Sequence, residues 1–378
     1  MNQSKQAVTP QHNSMSEAYY QDDEIDLREL FIALWKGKFL IVVTTFVFAA
    51  GAVVHALNAQ EWWSSKARIV EPQVNDFAIY RQQVKSFQPI FDTYQDDGTV
   101  RVSKELDDLV EPDKIFAQFI RAFNATANKK RFFDNNETFL AFKKALRENA
   151  DAGADAQAAQ RRLYSAWYQK ISAAPAEKNR RDEYIISLQA TTQMDSYNLL
   201  NDYIAMIEKK VQADAFKNIE ATLDAKETQL KQQKLILENQ AKQVLAVELQ
   251  RSKYAYDIAE AASINAPIQN LGDKEIFAIN LGAKAIKAKI SALEDVKNLA
   301  VIEPRLQQID AKLDLMNNLD INEDIDFKSY RFIEEVEQPI NRDAPKRALI
   351  AVLGALFGGM LGVGIVLVRF VFGRNKEN

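Results

Sequence analysis

Two long runs without a charged side chain lie near the ends of this chain, and they limit its fold more than any other feature. Residues 39–57 and 348–368 contain no Asp, Glu, Lys or Arg. As helices they would extend about 28 Å and about 31 Å, which matches the hydrocarbon thickness of a bilayer. Trp35 before the first run, and Trp62 and Trp63 after it, fall where the headgroup layers would lie. We therefore predict an integral membrane protein with two transmembrane helices.

A cleaved signal peptide is the alternative interpretation of the first run. Residues 50–52 read Ala-Gly-Ala, which has the small-residue pattern of a cleavage site. The apolar run continues past these residues, however, and the preceding leader contains an acidic segment at residues 22–29. An N-terminal tag that stays on the full-length membrane protein would favour the transmembrane helix.

Basic residues beside the two runs predict the orientation, because short basic flanks stay in the cytoplasm. They are Arg28, Lys36 and Lys38 before the first run, and Arg369, Arg374 and Lys376 after the second. Lys346 and Arg347, at the opposite end of the second run, favour the reverse orientation but are outnumbered. We predict a two-pass protein with both termini cytoplasmic and residues 58–347 outside the cytoplasm.

Glycines at four-residue spacing mark one side of the second run. Gly354, Gly358 and Gly362 would lie on one helix face, where the lack of a side chain lets another helix approach closely. We expect this face to be a transmembrane packing surface. In the first run, we expect the hydroxyls of Thr44 and Thr45 to bond to carbonyls of the preceding turn.

The region after the first run mixes strand and helix patterns. Strands are predicted at 62–70, 184–191 and 327–336, where β-branched and aromatic residues concentrate. Helices are predicted at 77–87, 103–124 with a break at Pro112, 137–149 and 154–167. Because strands follow the first run and precede the second, we expect an α+β base close to the membrane.

A Pro-free and Gly-free stretch from residue 195 to 263 predicts one helix of about 100 Å. Apolar side chains recur along it at intervals of seven: Phe216, Leu223, Leu230, Leu237 and Val244. The companion positions are irregular, so a full two-stranded coiled coil is not expected. We interpret the five residues as a narrow stripe that supports helix assembly.

The chain then returns. A break is predicted around 265–272, and a helical pattern resumes over 284–315, kinked or divided at Pro304. Pro339 and Pro345 form a linker before the second apolar run. The predicted fold is α+β: a membrane-proximal mixed base domain with a long protruding α-helical hairpin, flanked by two transmembrane helices. Its segments are the tail 1–38, transmembrane helix 39–57, first part of the base 58–194, long helix 195–263, returning segment 264–326, final strand and linker 327–347, transmembrane helix 348–368 and tail 369–378.

The sequence is poorly equipped for catalysis. It has no cysteine and only two histidines, and it contains no Walker, G-x-S-x-G, H-E-x-x-H or dinucleotide-binding motif. Residues 320–326 imitate the start of a calcium loop, but Ile325 and Arg331 occupy positions that require Gly and Glu. The net charge of −4, without a basic cluster, argues against nucleic acid as a partner. We expect no enzymatic activity and no catalytic, cofactor-binding or metal-binding residues.

Residues 23–41, DEIDLRELFIALWKGKFLI, form an acidic, amphipathic entry into the first apolar run. Pro339 and Pro345 precede the second run, whose glycines continue to Gly364. With the long helix between them, these features resemble the polysaccharide co-polymerase family, specifically the Wzz-type chain-length determinants of O-antigen and related surface glycans. The resemblance covers nearly the whole chain.

The resemblance implies a homo-oligomer in the bacterial inner membrane whose periplasmic helices form a barrel-like protrusion. Such a protein sets the modal length of a surface glycan together with a separate glycan polymerase in the same membrane. Lipid-linked polysaccharide is a further partner that the resemblance allows. We expect the stripe of the long helix or the glycine face to support assembly.

Two other function classes stay open on the sequence alone. One is a coiled-coil periplasmic adaptor of an export or efflux complex, which co-purification with an outer-membrane channel would favour. The other is an extracytoplasmic sensor, which is disfavoured because residues 369–378 are too few for a cytoplasmic output domain. A changed ladder of glycan lengths in cells that lack the protein would favour the chain-length regulator over both.

Overall fold

A computed structural model describes residues 27–95, 97–148, 154–177, 182–268 and 276–374. The α-helices are α1 (Leu27–Lys36), α2 (Lys38–Asn58), α3 (Ala78–Ser86), α4 (Gln88–Phe91), α5 (Pro112–Asn124), α6 (Thr126–Phe133), α7 (Glu137–Glu148), α8 (Ala154–Tyr168), α9 (Gln193–Ala261), α10 (Ala283–Glu294), α11 (Arg305–Asn318) and α12 (Arg347–Arg374). The strands are β1 (Trp63–Val70), β2 (Thr93–Tyr94), β3 (Val100–Arg101), β4 (Ile171–Pro175), β5 (Glu183–Ala190) and β6 (Arg331–Glu337). Predicted features at residues 1–26, at Asn149, at 269–272 and at 375–378, including Lys376, lie outside the described residues.

The described chain divides into two units. The terminal unit contains the residues up to Trp62 and those from Asp343 onward, and the central unit contains residues 63–342. This division places the two apolar helices in one unit and the mixed helices and strands in the other. The predicted α+β class and the predicted long helix are both confirmed.

In the terminal unit, α2 and α12 are long and apolar enough to cross a membrane. The first begins at Lys38 and ends at Asn58, one residue beyond each end of the uncharged run. The second begins at Arg347 and continues past the predicted end at Val368 as far as Arg374. It continues because no helix-breaking residue follows Val368 immediately.

The central unit contains a four-stranded antiparallel sheet in the order β4-β5-β1-β6. Alternate residues of β1, namely Ser65, Ala67 and Ile69, are buried, as expected for a strand with one face on the core. The first part of α9 packs on this sheet, where the Ser65 and Ser196 hydroxyl oxygens lie 3.0 Å apart. Strand β4 was not predicted, because its sequence Ile-Ser-Ala-Ala-Pro has little β-branched or aromatic character.

Strand β6 begins at Arg331 rather than at the predicted Phe327. The aromatic rings of Phe327 and Tyr330 are buried in the core instead of alternating along a strand. Phe327 stacks on Tyr80, with ring centroids 4.4 Å apart, and Tyr330 lies 4.6 Å from Phe119. Burial of these large rings therefore decides the local conformation.

The predicted helices of the base are present with changed bounds. Instead of one helix at 77–87, α3 and α4 are separated at Phe87, and α4 contains Pro89 in its first turn. Before Pro112, the predicted helical segment contains only a short 3-10 turn, Asp107–Leu109. Helix α6 was not predicted, and α7 ends at Glu148 in the described chain.

Helix α9 contains 69 residues and begins two residues before the predicted start. Thr192 caps it, since the Thr192 hydroxyl accepts a hydrogen bond of 3.0 Å from the Asp195 amide. The returning segment runs in the opposite direction along α9. Near its beginning, Ile286 clusters with Ala255 and Ala259, and near its end the Gln212 side chain donates to the Phe327 carbonyl at 2.7 Å.

The return is divided more than the sequence predicted. Helix α10 ends at Glu294, a 3-10 turn covers Leu299–Val301, and α11 begins only after Pro304. Pro304 therefore marks the start of a new helix rather than a kink.

Candidate assembly surfaces

The glycine face of α12 packs against α2 of the same chain. A Cβ atom built on Gly358 would lie 2.8 Å from Thr45 Cα and 2.8 Å from Phe48 Cβ. A Cβ on Gly362 would lie 2.9 Å from Ile41 Cα, and a Cβ on Gly354 would lie 3.1 Å from the Phe48 carbonyl oxygen. The distances below 3.0 Å at Gly358 and Gly362 are too short for a side chain, and the 3.1 Å at Gly354 leaves little room, so glycine permits direct approach of the two backbones.

Two threonines face this contact without leaving a polar group unpaired. The Thr44 hydroxyl donates to the Leu40 and Ile41 carbonyls at 3.0 Å and 2.9 Å, and the Thr45 hydroxyl donates to the Ile41 carbonyl at 2.7 Å. The expected bonds to the preceding turn are thus confirmed. They satisfy both hydroxyls within α2, which allows a polar side chain at an otherwise apolar contact.

The pairing extends to Gly37 and to the opposite ends of the two helices. A Cβ on Gly37 would lie 2.5 Å from a methyl group of Val366, a contact that the sequence analysis missed. The Arg347 guanidinium donates to the Glu61 carboxylate at 2.8 Å, and the Trp62 amide donates to the Ala344 carbonyl at 3.0 Å. Pro345 lies between Ala344 and the start of α12 at Arg347.

Four residues of the predicted stripe are buried within the chain's own core. Phe216, Leu223, Leu230 and Leu237 belong to one apolar cluster with residues of α3, α4 and α11. The fifth, Val244, is 57% exposed. The seven-residue spacing therefore identifies a face that this chain covers itself, and its part in assembly between copies stays a prediction.

A second row of apolar side chains on α9 is exposed. Ile236, Val247, Tyr254 and Ile258 are separated by 11, 7 and 4 residues. These separations are close to whole helical turns, so the four side chains lie on one side of α9. The sequence analysis did not identify this row, because it followed only the seven-residue spacing that begins at Phe216.

The loop after β1 is tied to β6 by a charged pair. The Arg331 guanidinium donates to both Asp76 carboxylate oxygens, at 2.8 Å and 3.1 Å. This hydrogen bonding lowers the pKa of Asp76 below its usual value, against the opposing effect of burial. The same residue's carbonyl accepts from the Lys328 amide at 3.0 Å, so Asp76 connects two distant parts of the chain.

A partly buried carboxylate of α9, that of Glu208, lies beside this connection. Burial raises the pKa of Glu208, although Lys328 opposes the rise with its Nζ 3.0 Å from Glu208 Oε1. The Lys328 ammonium donates to the other carboxylate oxygen, Glu208 Oε2, at 3.1 Å, while Oε1 has no hydrogen-bond partner among the described residues. Folding thus lowers the pKa of Asp76 and raises the pKa of Glu208.

Pro339, the first of the two linker prolines, follows β6 in the central unit. Its carbonyl accepts a hydrogen bond of 2.6 Å from the Gln193 side chain in the first turn of α9. This bond fixes the chain after β6 to the start of the long helix. Whether the two linker prolines act in function stays a prediction.

Comparisons with known proteins agree with these features. Residues 23–134 match the Wzz family model, described as chain length determinant protein. The chain is 25% identical to the ECA polysaccharide chain length modulation protein of Escherichia coli (strain K12), over 92% of this chain and 95% of that protein. It is also 25% identical to the Ferric enterobactin transport protein FepE of the same organism, over 94% of this chain and 92% of that protein.

Two solved structures share the fold. One is described as a full-length bacterial polysaccharide co-polymerase, with a TM-score of 0.58 and 24% identity over 92% of this chain and 99% of that chain. The other is a mutant form of the Shigella flexneri lipopolysaccharide O-antigen chain-length regulator WzzBSF, with a TM-score of 0.50 and 19% identity over 75% of this chain and all of the other. The comparisons confirm the resemblance indicated by the sequence, and over nearly its whole length this chain is similar to the Wzz-type polysaccharide co-polymerases.

Proposed function

We propose that this protein regulates the modal chain length of a surface polysaccharide, O-antigen or a related glycan. The observation that carries the proposal is its similarity to the ECA polysaccharide chain length modulation protein over 92% of one chain and 95% of the other. Similarity over this much of both chains supports a shared organisation rather than one shared module. The names of the relatives support the chain-length hypothesis and not the adaptor alternative.

The protein acts without catalysing polymerisation itself. The relatives' names describe determination or modulation of chain length, which favours a regulator that works with a separate glycan polymerase in the same membrane.

Copies of the chain associate along α9. The row formed by Ile236, Val247, Tyr254 and Ile258 is exposed on a helix that is otherwise highly charged. Exposed apolar side chains aligned over several turns are typical of a helix–helix contact surface. A second copy of α9 presents the same row, and covering both rows removes apolar surface from water.

Both termini are cytoplasmic, and the central unit is periplasmic. The basic flanks support this orientation. Because the chain has no native cysteine, single cysteines introduced at exposed positions of the central unit test it by labelling of intact cells with a membrane-impermeant maleimide. The proposal expects labelling at Val244→Cys once the outer membrane is permeabilised; labelling only after lysis of the inner membrane would contradict it.

The name of FepE provides a second candidate function, ferric enterobactin transport. A deletion strain separates the two. We expect a changed ladder of surface-glycan lengths, restored by the wild-type gene, and unchanged growth on ferric enterobactin as the only iron source. Unchanged ladders for all surface glycans would reject the chain-length function, and an iron-specific growth defect would favour transport.

A further inference from the structure

A cleft of about 640 Å³ lies in the central unit between β2, the middle of α9 and α11. Its volume is within the range of roughly 300–1,000 Å³ that small-molecule sites occupy. The buried side chains of Phe91, Leu230 and Ile309 contribute to its lining. This apolar part of the wall can contact the C–H face of a ring.

Two lysines project into this cleft from different helices. Lys226 of α9 is only 8% exposed, and its Nζ lies 3.3 Å from Glu105 Oε1 and 5.1 Å from the centre of the Phe91 ring. Lys312 of α11 donates to the Asp92 carbonyl, and its Nζ lies 6.0 Å from the centre of the Tyr94 ring. Lysine side chains are rarely this buried, and the surrounding residues hold Lys226 in a defined position in the cleft.

The two ammonium groups are close enough to repel each other. Burial lowers the pKa of Lys312, and the charge of Lys226 lowers it further, while Asp92 opposes both effects. Among the described residues, Lys312 forms no salt bridge and uses a backbone carbonyl as its hydrogen-bond acceptor. An anion placed between the two lysines would remove this repulsion and gain two charge-assisted hydrogen bonds.

Besides the two lysines, the lining contains a third cation, Arg305, which pairs with Glu303 at 2.6 Å. Other polar side chains of the lining suit hydroxyl groups. Gln229, Gln233 and Gln308 carry side-chain amides that can both donate and accept. Asp97 contributes a carboxylate, whose pKa is lowered by hydrogen bonds from Thr99. Its negative charge disfavours a bare anion in that part of the cleft but accepts hydrogen bonds from hydroxyls. The lining therefore combines one cationic part with one that prefers neutral, hydroxyl-rich groups.

We propose that this cleft binds a short segment of an acidic saccharide, with its carboxylate or phosphate between Lys226 and Lys312 and its hydroxyls against the glutamines and Asp97. The inference rests on the proposed function, which brings a surface glycan to this protein. It adds that the glycan contacts this chain directly and that an acidic sugar is the part recognised.

Isothermal titration calorimetry of the full chain in nanodiscs tests the cleft. The probes are a tetramer of galacturonic acid, the neutral tetramer of glucose and inorganic phosphate. We expect the acidic tetramer to bind, and Lys312→Gln and Lys226→Gln each to weaken binding about tenfold, the loss expected for one charge-assisted hydrogen bond. Lys231→Gln is the matched control, because Lys231 lies on the same helix outside the cleft and pairs with Glu227 at 2.8 Å.

A change in folding is separated from a change in binding by the thermal midpoint of each variant. If Lys226→Gln lowers that midpoint, the site is tested with Lys312→Gln and Gln233→Ala instead, because Lys312 and Gln233 are less buried than Lys226. Equal binding of the neutral tetramer would overturn the role of the acidic group. Phosphate that binds as tightly as the acidic tetramer would overturn the role of the saccharide, and no binding by any probe would overturn the site.

The failure of this inference differs from the failure of the proposed function. A deletion strain with changed glycan lengths, together with no binding of the acidic tetramer, overturns the cleft alone. An unchanged ladder together with Lys312-dependent binding overturns the chain-length function and leaves the saccharide site standing.

Discussion

The paired apolar helices and the middle of α9 form their contacts with opposite kinds of residue. Helix α12 meets α2 through Gly354, Gly358 and Gly362, where the backbones approach each other directly. Helix α9 meets its neighbours through large side chains such as Phe216 and Leu230. Burial in water is driven by apolar area, whereas helices in hydrocarbon gain little from apolar area and associate by close packing. The difference is the one expected between helices that pack in hydrocarbon and helices that pack in water, and α2 and α12 are the two helices long and apolar enough to cross a membrane among the described residues.

Loss of a large side chain from the α9 core is expected to have the largest effect on stability. Leu230→Ala removes buried apolar atoms and leaves a cavity, so we expect a loss of about 2–5 kcal/mol in the free energy of unfolding. Val244→Ala is the control on the same heptad spacing, and its exposed position predicts a change below about 0.5 kcal/mol. Chemical denaturation of the two variants measures both values. Similar losses of unfolding free energy for Leu230→Ala and Val244→Ala would contradict a buried Leu230 and an exposed Val244.

A large side chain in the glycine face is expected to have the next largest effect. Gly358→Leu forces a side chain against the α2 backbone and should cost about 3 kcal/mol, the upper part of the range for overpacking. Gly364→Leu is the control on the same helix, because a Cβ built there has no described atom within 4 Å outside its own stretch of helix. We expect a lower thermal midpoint and weaker cross-linked oligomers for Gly358→Leu only. Equal behaviour of the two variants would contradict a glycine-dependent contact.

Loss of the charged pair between Asp76 and Arg331 is expected to lower stability less than Leu230→Ala or Gly358→Leu. The pKa of Asp76 is lowered in the folded state. Asp76 therefore stabilises the fold above its unfolded pKa of about 3.9, and this contribution is lost as the pH falls. Asp76→Asn should therefore lower the thermal midpoint by about 2–4 °C at pH 7 and change it little near pH 3.

Glu208→Gln is the comparison for this pH dependence. The raised pKa of Glu208 shows that the fold disfavours its charge, so the variant should gain stability relative to wild type as the pH rises through that pKa. Thermal midpoints recorded between pH 3 and pH 7 measure both trends. Parallel curves for Asp76→Asn and Glu208→Gln would contradict the opposite responses of the two carboxylates.

Substitutions in the exposed row of α9 are expected to have the smallest effect on stability and a large effect on the association of copies. Ile236→Ser combined with Val247→Ser should change the unfolding free energy by less than about 0.5 kcal/mol per site, because both residues are exposed. Leu235→Ser is the matched control, since Leu235 is 60% exposed against 57% for Ile236 but lies about 100° away around the helix. Cross-linking in membranes should detect fewer oligomers for the double variant only. Equal cross-linking would remove the row as a contact between copies.

The parts of the fold that depend on long patterns were predictable from the sequence. The uncharged runs and the Pro-free, Gly-free stretch each extend over many residues, so they identify α2 and α9 within two residues at each end, whereas α12 continues six residues past its predicted end. Short elements were not predictable: β4 is rich in alanine, and the β2–β3 pair has two residues in each strand. Their conformation depends on neighbouring strands rather than on their own residues.

The candidate surfaces were predictable only in part. The glycine spacing indicated a close helix contact, but the partner, α2 of the same chain, required the structure. The seven-residue spacing selected Phe216, Leu223, Leu230 and Leu237 without showing that other helices of the chain cover them. The cleft with Lys226 and Lys312 joins residues far apart in the sequence, so no local pattern identifies it.

The most direct test of the account is the modal length of surface glycan in a deletion strain that carries a plasmid copy of the gene. We predict that deletion changes the ladder of lengths on a gel, that wild type and Leu235→Ser restore the original mode, and that the Ile236→Ser, Val247→Ser double variant does not. The same ladder in all of these strains, including the deletion without a plasmid copy, would contradict regulation of chain length by this protein.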